Sequence, residues 1–190
     1  MGEKSAVIMS LYRNDTIEFV TLAVESILNQ SYTDFDLYIQ YDGPIKDEVD
    51  AYLSHLKDKR IHIYKRLENK GLAQSLNDLL KIVKPLEYDY IARMDADDIS
   101  TTDRFEKQIH YLQSHSDIDM VGGAINEIDE NGRNRGKVTS YPCTAEECRA
   151  FFAKRNPVAH PTVMFRRSFF DKAGWHYPTD YVRNEDTRLW

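Results

Sequence analysis

The feature that most limits the fold is a regular alternation of two kinds of segment over the first half of the chain. "AVIMSLY" (6–12), "FDLYIQY" (35–41), "RIHIYKR" (60–66) and "YDYIARM" (88–94) are short apolar-leaning runs that read as strands. Between them lie "TIEFVTLAVESILNQ" (16–30), "KDEVDAYLSHL" (46–56) and "GLAQSLNDLLKIV" (71–83), which read as helices. In the first helix Ile17, Val20, Val24, Ile27 and Leu28 share one face, with Asp15 or Thr16 available as a cap. In the third, Leu72, Leu76, Leu79 and Leu80 recur at helical spacing. Strands joined through helices by short loops build a mostly parallel sheet with helices on both faces, so the fold class is α/β and Rossmann-like. With 190 residues and no internal repeat or linker, residues 1–190 read as a single domain.

The second half is less regular. A helix is expected over 103–115, one strand over 119–129, a tight turn at "ENGR", and a return strand in "GKVTSYP". A helix over 145–154 and a strand over 160–167 follow, the strand leading into "SFFDKAG". The chain closes on "NEDTRLW", which reads as the first turns of a helix. The C-terminal part is therefore expected to be truncated.

Charge and cysteine usage exclude several functions. The net charge is −6 with scattered basic residues, which argues against a nucleic-acid surface. The longest apolar run is "AVIM", far short of a membrane span, and the N-terminus lacks the features of a cleaved leader. Ala6 breaks a myristoylation pattern. Cys143 and Cys148, spaced C-x4-C, read as two reduced thiols. A cytoplasmic protein is expected, at most peripheral to the inner face of a membrane. "FFAKRNP" and "FRRSFF" read as solvated basic faces over core phenylalanines.

The stretch "ARMDADDIS" (92–100) carries the chemistry. Three carboxylates, Asp95, Asp97 and Asp98, stand where the fourth strand ends. Ligands of open α/β sheets bind at the carboxyl ends of strands. Clustered carboxylates repel one another and raise each other's pKa, and a hard divalent cation relieves this. Mg2+ or Mn2+ takes one or two protein carboxylates and completes its shell with phosphate oxygens, so Asp95 and Asp97 fit a metal bridging to a phosphorylated substrate. The same residues fit an acidic helix start, with Asp97 or Asp98 capping a helix from residue 101. Neither the EF-hand spacing nor the usual place of an aspartate nucleophile, after a first strand, is met.

"VIMSLYRND", "SILNQSYTDFDLYIQYDG", "NKGLAQSLN", "YIARMDADDIS", "NPVAHPTVMFRR" and "NEDTRLW" occur in this order from about residue 5 to the end. Together they resemble the family 2 glycosyltransferases of the GT-A fold, and among them bacterial enzymes of exopolysaccharide, capsule or O-antigen synthesis. The resemblance implies an inverting transfer of a sugar from a nucleoside diphosphate sugar, UDP-linked by this pattern, to a hydroxyl of a glycan or lipid-linked glycan acceptor. It implies Mn2+ or Mg2+ as cofactor. Residues 1–98 become the nucleotide-sugar-binding half and 99–190 an incomplete acceptor-side half.

The same resemblance assigns roles. Ser10 and Tyr12 close the first strand at the donor site, Tyr12 stacking on the base. Asp42 accepts the uracil N3–H. Asp95 binds the ribose or the metal shell, and Asp97 the metal and diphosphate. Glu185 supports the acceptor and Asp186 is the general base. Departures are Tyr41-Asp42-Gly43-Pro44 for the family's Asp-Asp-Gly-Ser, and Leu76 where many members have arginine. Arg93 reads as a structural ion pair and His160 as a packed or solvated histidine. A nucleotidyltransferase, an aspartate-nucleophile phosphatase and a donor-binding module without activity are the alternatives.

Overall fold

The computed structural model describes residues 3–129 and 132–179. Four strands run parallel: β1 (Ser5–Leu11), β2 (Phe35–Tyr41), β3 (Ile61–Lys65) and β4 (Tyr90–Arg93). Helices α1 (Ile17–Leu28), α2 (Asp47–His55) and α3 (Leu72–Val83) make the crossovers, as the alternation predicts. After α4 (Arg104–Ser114) come β5 (Met120–Val121), the hairpin β6 (Ile125–Ile128) and β7 (Asn134–Thr139), α5 (Ala145–Phe152), β8 (Met164–Arg166) and α6 (Arg167–Ala173). The main sheet has the order β3-β2-β1-β4-β8-β5, with β8 antiparallel to both neighbours.

β1 is central, and its alternation feeds two cores. Val7, Met9 and Leu11 pack against Val20, Val24 and Ile27 of α1, Val49 and Leu53 of α2, and Phe105 and Leu112 of α4. Ala6 and Ile8 point the other way, to Leu76, Leu79 and Leu80 of α3 and Phe165 and Phe170. A strand buried on both faces must be apolar at successive positions, which is why "AVIM" is unbroken.

Three expectations are corrected. Residues 119–129 are two strands in two sheets, separated by Gly122-Gly123-Ala124. The break is tertiary: Gly123 N–H donates to Thr162 Oγ1 (2.9 Å), and a Cβ on Gly122 would lie 3.2 Å from Val158. Residues 160–167 begin with a single 3-10 turn, His160–Thr162, set by Pro161, before β8. "SFFDKAG", to which the pattern assigns no element, lies largely in α6. The phenylalanines of "FRRSFF" form a packed group around the fully buried Phe165 and Phe170, as expected, whereas Phe152 of "FFAKRNP" is exposed.

Candidate donor and metal site

The parallel register brings the expected site residues to one edge of the sheet. β1 ends opposite β2 with Leu11 against Tyr41, and the Asp42 N–H donates to Leu11 O (2.7 Å). Met94 N–H donates to Ile8 O (3.2 Å), so the residues following β4 emerge beside those following β1. Ser10, half-buried on β1, Tyr12 just after it, Asp42 after β2 and Asp95 after β4 therefore share the carboxyl edge. Tyr12 is 43% exposed, so its ring is available for stacking and is not a core tyrosine.

The carboxylate loop is not a helix start. α4 begins at Arg104 with Asp103 at its N-cap, so Asp97 and Asp98 lie in a loop ahead of it and cap nothing. The loop is tied instead to α1 and to Gln30 just past its end. Ser100 N–H donates to Ser26 Oγ (3.0 Å), and Gln30 Nε2 donates to Thr101 O (2.7 Å). Gln30 Oε1 accepts the Phe105 N–H (3.0 Å). Asp97 is left exposed and Asp95 half-buried.

Negative charge is concentrated in this loop. Asp98 is pushed up to about 6, first by burial and then by the charges of Asp95 and Asp97. Asp15 is also pushed up to about 6 by burial, with Asp97 and Asp95 adding to it. The sequence offered Asp15 as a helix cap. Thr16 occupies the cap position without a side-chain capping bond, and Asp15 Oδ2 accepts the Tyr12 N–H (2.8 Å). Asp15 thus joins the site, a role that local spacing could not distinguish from capping.

Compensation comes from below. Arg93 is wholly buried and donates to an Asp95 carboxylate oxygen and to Met94 O; its Nε has no partner among the described residues. The ion pair expected for Arg93 is therefore present. Arg104, absent from the sequence reading, donates to Arg93 O (2.9 Å) and to Gln108 Oε1 (3.0 Å). Burial, then the charge of Arg93, lowers Arg104 to about 10, which leaves it cationic at neutral pH. His160 is buried with its Nε2 3.3 Å from Tyr177 Oη, and burial followed by the Arg93 charge holds its pKa well below the usual value. It is the packed histidine expected.

Beyond Asp98 a cavity of about 690 Å3 opens between Ile99, Tyr111, Val121, Ile125 and Pro161. Among the described residues no three His, Cys, Asp or Glu side chains are arranged to enclose a metal ion by themselves. The donor set suits a cation held by one or two carboxylates with ligand oxygens completing its shell. Asp186 and Glu185 lie outside the described residues.

Comparison with known proteins gives the family and the fold. The family model "Glycosyl transferase family 2" matches residues 6–174. The amylovoran biosynthesis glycosyltransferase AmsE of Erwinia amylovora is 32% identical over 97% of this chain and 67% of its own. The O-antigen biosynthesis glycosyltransferase WbnJ of Escherichia coli is 36% identical over 97% and 69%. Among solved structures, S. aureus TarS superposes with a TM-score of 0.72 at 17% identity, over 98% of this chain and 32% of that one. The mannosyltransferase PcManGT from Pyrobaculum calidifontis, in complex with GDP-Man and Mn2+, gives 0.69 at 16%, over 98% and 50%. The chain spans about two thirds of such curated relatives and a third to a half of those structures. The fold is GT-A, and the chain belongs to glycosyl transferase family 2.

Proposed function

We propose that this chain carries the donor-binding part of a metal-dependent, inverting glycosyltransferase. It would transfer a sugar from a UDP-linked donor to a hydroxyl of a glycan or lipid-linked glycan in bacterial surface polysaccharide synthesis. One observation carries the reading: four carboxylates, Asp15, Asp95, Asp97 and Asp98, face one another electrostatically at the sheet edge, and two of them are held up to about 6. Such a cluster is poised for a cation: Arg93 and Arg104 on one side and Lys46 near Asp15 offset its charge, yet two of the carboxylates stay raised.

Within this reading Tyr12 stacks on the base, Ser10 lies beside it, and Asp42 accepts the base N–H. Asp95 and Asp97 would hold Mn2+ or Mg2+, which when bound would supply electrostatic stabilisation of charge developing on the leaving diphosphate. Arg93 fixes the Asp95 carboxylate from behind, so no reorganisation is needed as that charge develops. Asp186 removes the proton of the acceptor hydroxyl, with Glu185 supporting the acceptor, and the sugar inverts as that oxygen attacks opposite the diphosphate. The cavity beyond Asp98 gives the acceptor an apolar wall. TarS has been solved with UDP and with UDP-GlcNAc, and PcManGT with GDP-Man and Mn2+, which supports a nucleotide-sugar donor and a divalent ion. Among the described residues no helix is long and apolar enough to cross a membrane.

Calorimetry of UDP binding tests this. Affinity should be higher with Mn2+ than with EDTA, and Asp97→Asn should remove most of the difference. Equal affinities with metal and with chelator would refute the metal-linked site.

A further inference from the structure

Asp42 is surrounded by donors of its own chain. Its side chain is only 4% exposed. Oδ1 accepts from Arg66 Nη2 and from the Lys70 N–H (2.7 Å), and Oδ2 accepts from the Gly71 N–H (2.9 Å). Its backbone carbonyl accepts from Asn69 Nδ2 (3.2 Å). Arg66, one residue past β3, is itself held on every side. Nη2 also donates to Ser75 Oγ (2.8 Å), Nη1 to Asp78 Oδ2 (2.8 Å) and Nε to Glu68 O (2.9 Å). The guanidinium thus ties the end of β2, the start of α3 and the loop between β3 and α3 to one carboxylate.

We propose that Arg66 determines nucleobase choice at the donor site by positioning Asp42. A carboxylate has about four acceptor directions, and Arg66, Lys70 and Gly71 take three of them here. One remains, on Oδ2. A single acceptor fits the lone N3–H of uracil or thymine, which lies between two carbonyls. It meets an acceptor at cytosine N3 and is repelled. Guanine presents two adjacent donors, N1–H and the exocyclic amine, that need both carboxylate oxygens in parallel. Arg66 occupies the oxygen that this paired mode requires. The clamp therefore admits a one-donor imide and excludes guanine, without contact between Arg66 and the base. Leu76, where many family members have an arginine, is fully buried in the core under α3, so no side chain at that position substitutes for Arg66.

The inference rests on the reading that Asp42 faces the base. The experiment measures UDP, GDP and CDP affinities with Mn2+ for the unmodified chain, Arg66→Met, Arg66→Lys and Asp42→Asn, with inorganic pyrophosphate as a base-free probe. The unmodified chain should favour UDP over both competitors. Arg66→Met should cut the UDP:GDP ratio by about three- to tenfold, the scale of one net hydrogen bond, and leave pyrophosphate affinity unchanged. Arg66→Lys retains charge but not the planar fork, and should shift the ratio the same way, so it serves if the methionine variant does not fold. If Asp42→Asn abolishes the preference for UDP while both Arg66 variants keep the original ratio, the inference is overturned and the base reading stands. If the unmodified chain has no base preference, or Asp42→Asn leaves it intact, the base reading fails and the inference with it. A uniform loss of all three nucleotides and pyrophosphate in the Arg66 variants would mark Arg66 as purely structural and also overturn it.

Discussion

Arg93 and Asp95 form an ion pair in which the guanidinium is wholly buried and the carboxylate is 31% exposed. The two ends of the pair are therefore unequal. Removing Asp95 leaves a cation in the core with Met94 O as its one hydrogen-bond acceptor among the described residues, whereas removing Arg93 leaves a carboxylate that water can reach. Asp95→Ala should destabilise the chain by about 3–5 kcal/mol, as breaking a buried pair does. Arg93→Met, which fills similar space with apolar atoms, should lose clearly less. Urea denaturation of both variants measures this. Equal losses, or a larger loss for Arg93→Met, would contradict the unequal burial.

How much of this could be read from residues alone follows from the range of the interactions. β1, β2 and β4 are legible because burial on both faces forces apolar runs, and α1 and α3 because their apolar faces repeat locally. Their order puts Tyr12, Asp42 and Asp95 on one edge, since parallel strands all end on the same side. The break at Gly122-Gly123 is not legible, because its cause is Thr162, 39 residues on. Arg66 gives no local signal either: its partner Asp42 is 24 residues earlier. Asp15 could be misread because a carboxylate one or two residues before a helix looks the same whether it caps the helix or accepts the Tyr12 N–H.

Asp15 should leave a pH signature. With its pKa pushed up to about 6, against an ordinary aspartate near ~4, the folded chain binds its proton more tightly than the unfolded chain does. Its ionised form therefore opposes folding, and stability falls as pH rises between those values. His160, buried and neutral, works the other way in the same range, so the effect must be read by difference. Asp15→Asn cannot ionise. At pH 7.5 it should be more stable than the parent by on the order of 1 kcal/mol, after allowance for solvent screening. At pH 5, midway between the two values, about half of that advantage should remain. Thermal unfolding in the absence of metal at the two pH values decides it, and an advantage that grows on acidification would refute the assignment.

Gly43 is required for contact as well as for conformation. Its φ is +83°, and a Cβ there would lie 2.8 Å from the Asn69 backbone nitrogen. Gly71 has a similar φ of +89° but open space around it. Gly71→Ala should therefore lose only the conformational strain, about 1–2 kcal/mol. Gly43→Ala should lose more, and should also weaken UDP binding by displacing the loop that Asp42 holds. If the two alanine variants have the same stability in urea, the close approach between Gly43 and Asn69 is absent in solution.

Asp186 is the residue we propose as general base, and its variant separates chemistry from donor binding. The reaction needs a carboxylate on the acceptor side, distinct from Asp95 and Asp97, which the proposal assigns to the metal. In "NEDTRLW" the proposal sets the family's Glu-Asp pair on Glu185 and Asp186. A positioned general base contributes typically ~10²–10⁴-fold in rate. Asp186→Asn should reduce turnover by about that factor, since an amide cannot take the acceptor proton. UDP affinity should barely change, because the proposal gives this carboxylate a role at the acceptor and none at the nucleotide. Asp97→Asn should do the reverse to binding, removing the Mn2+-dependent part of UDP affinity. Radiolabelled sugar transfer and calorimetry on the same two variants make the comparison. Near-normal transfer by Asp186→Asn, or a loss of UDP binding as large as that of Asp97→Asn, would remove Asp186 from the role of base.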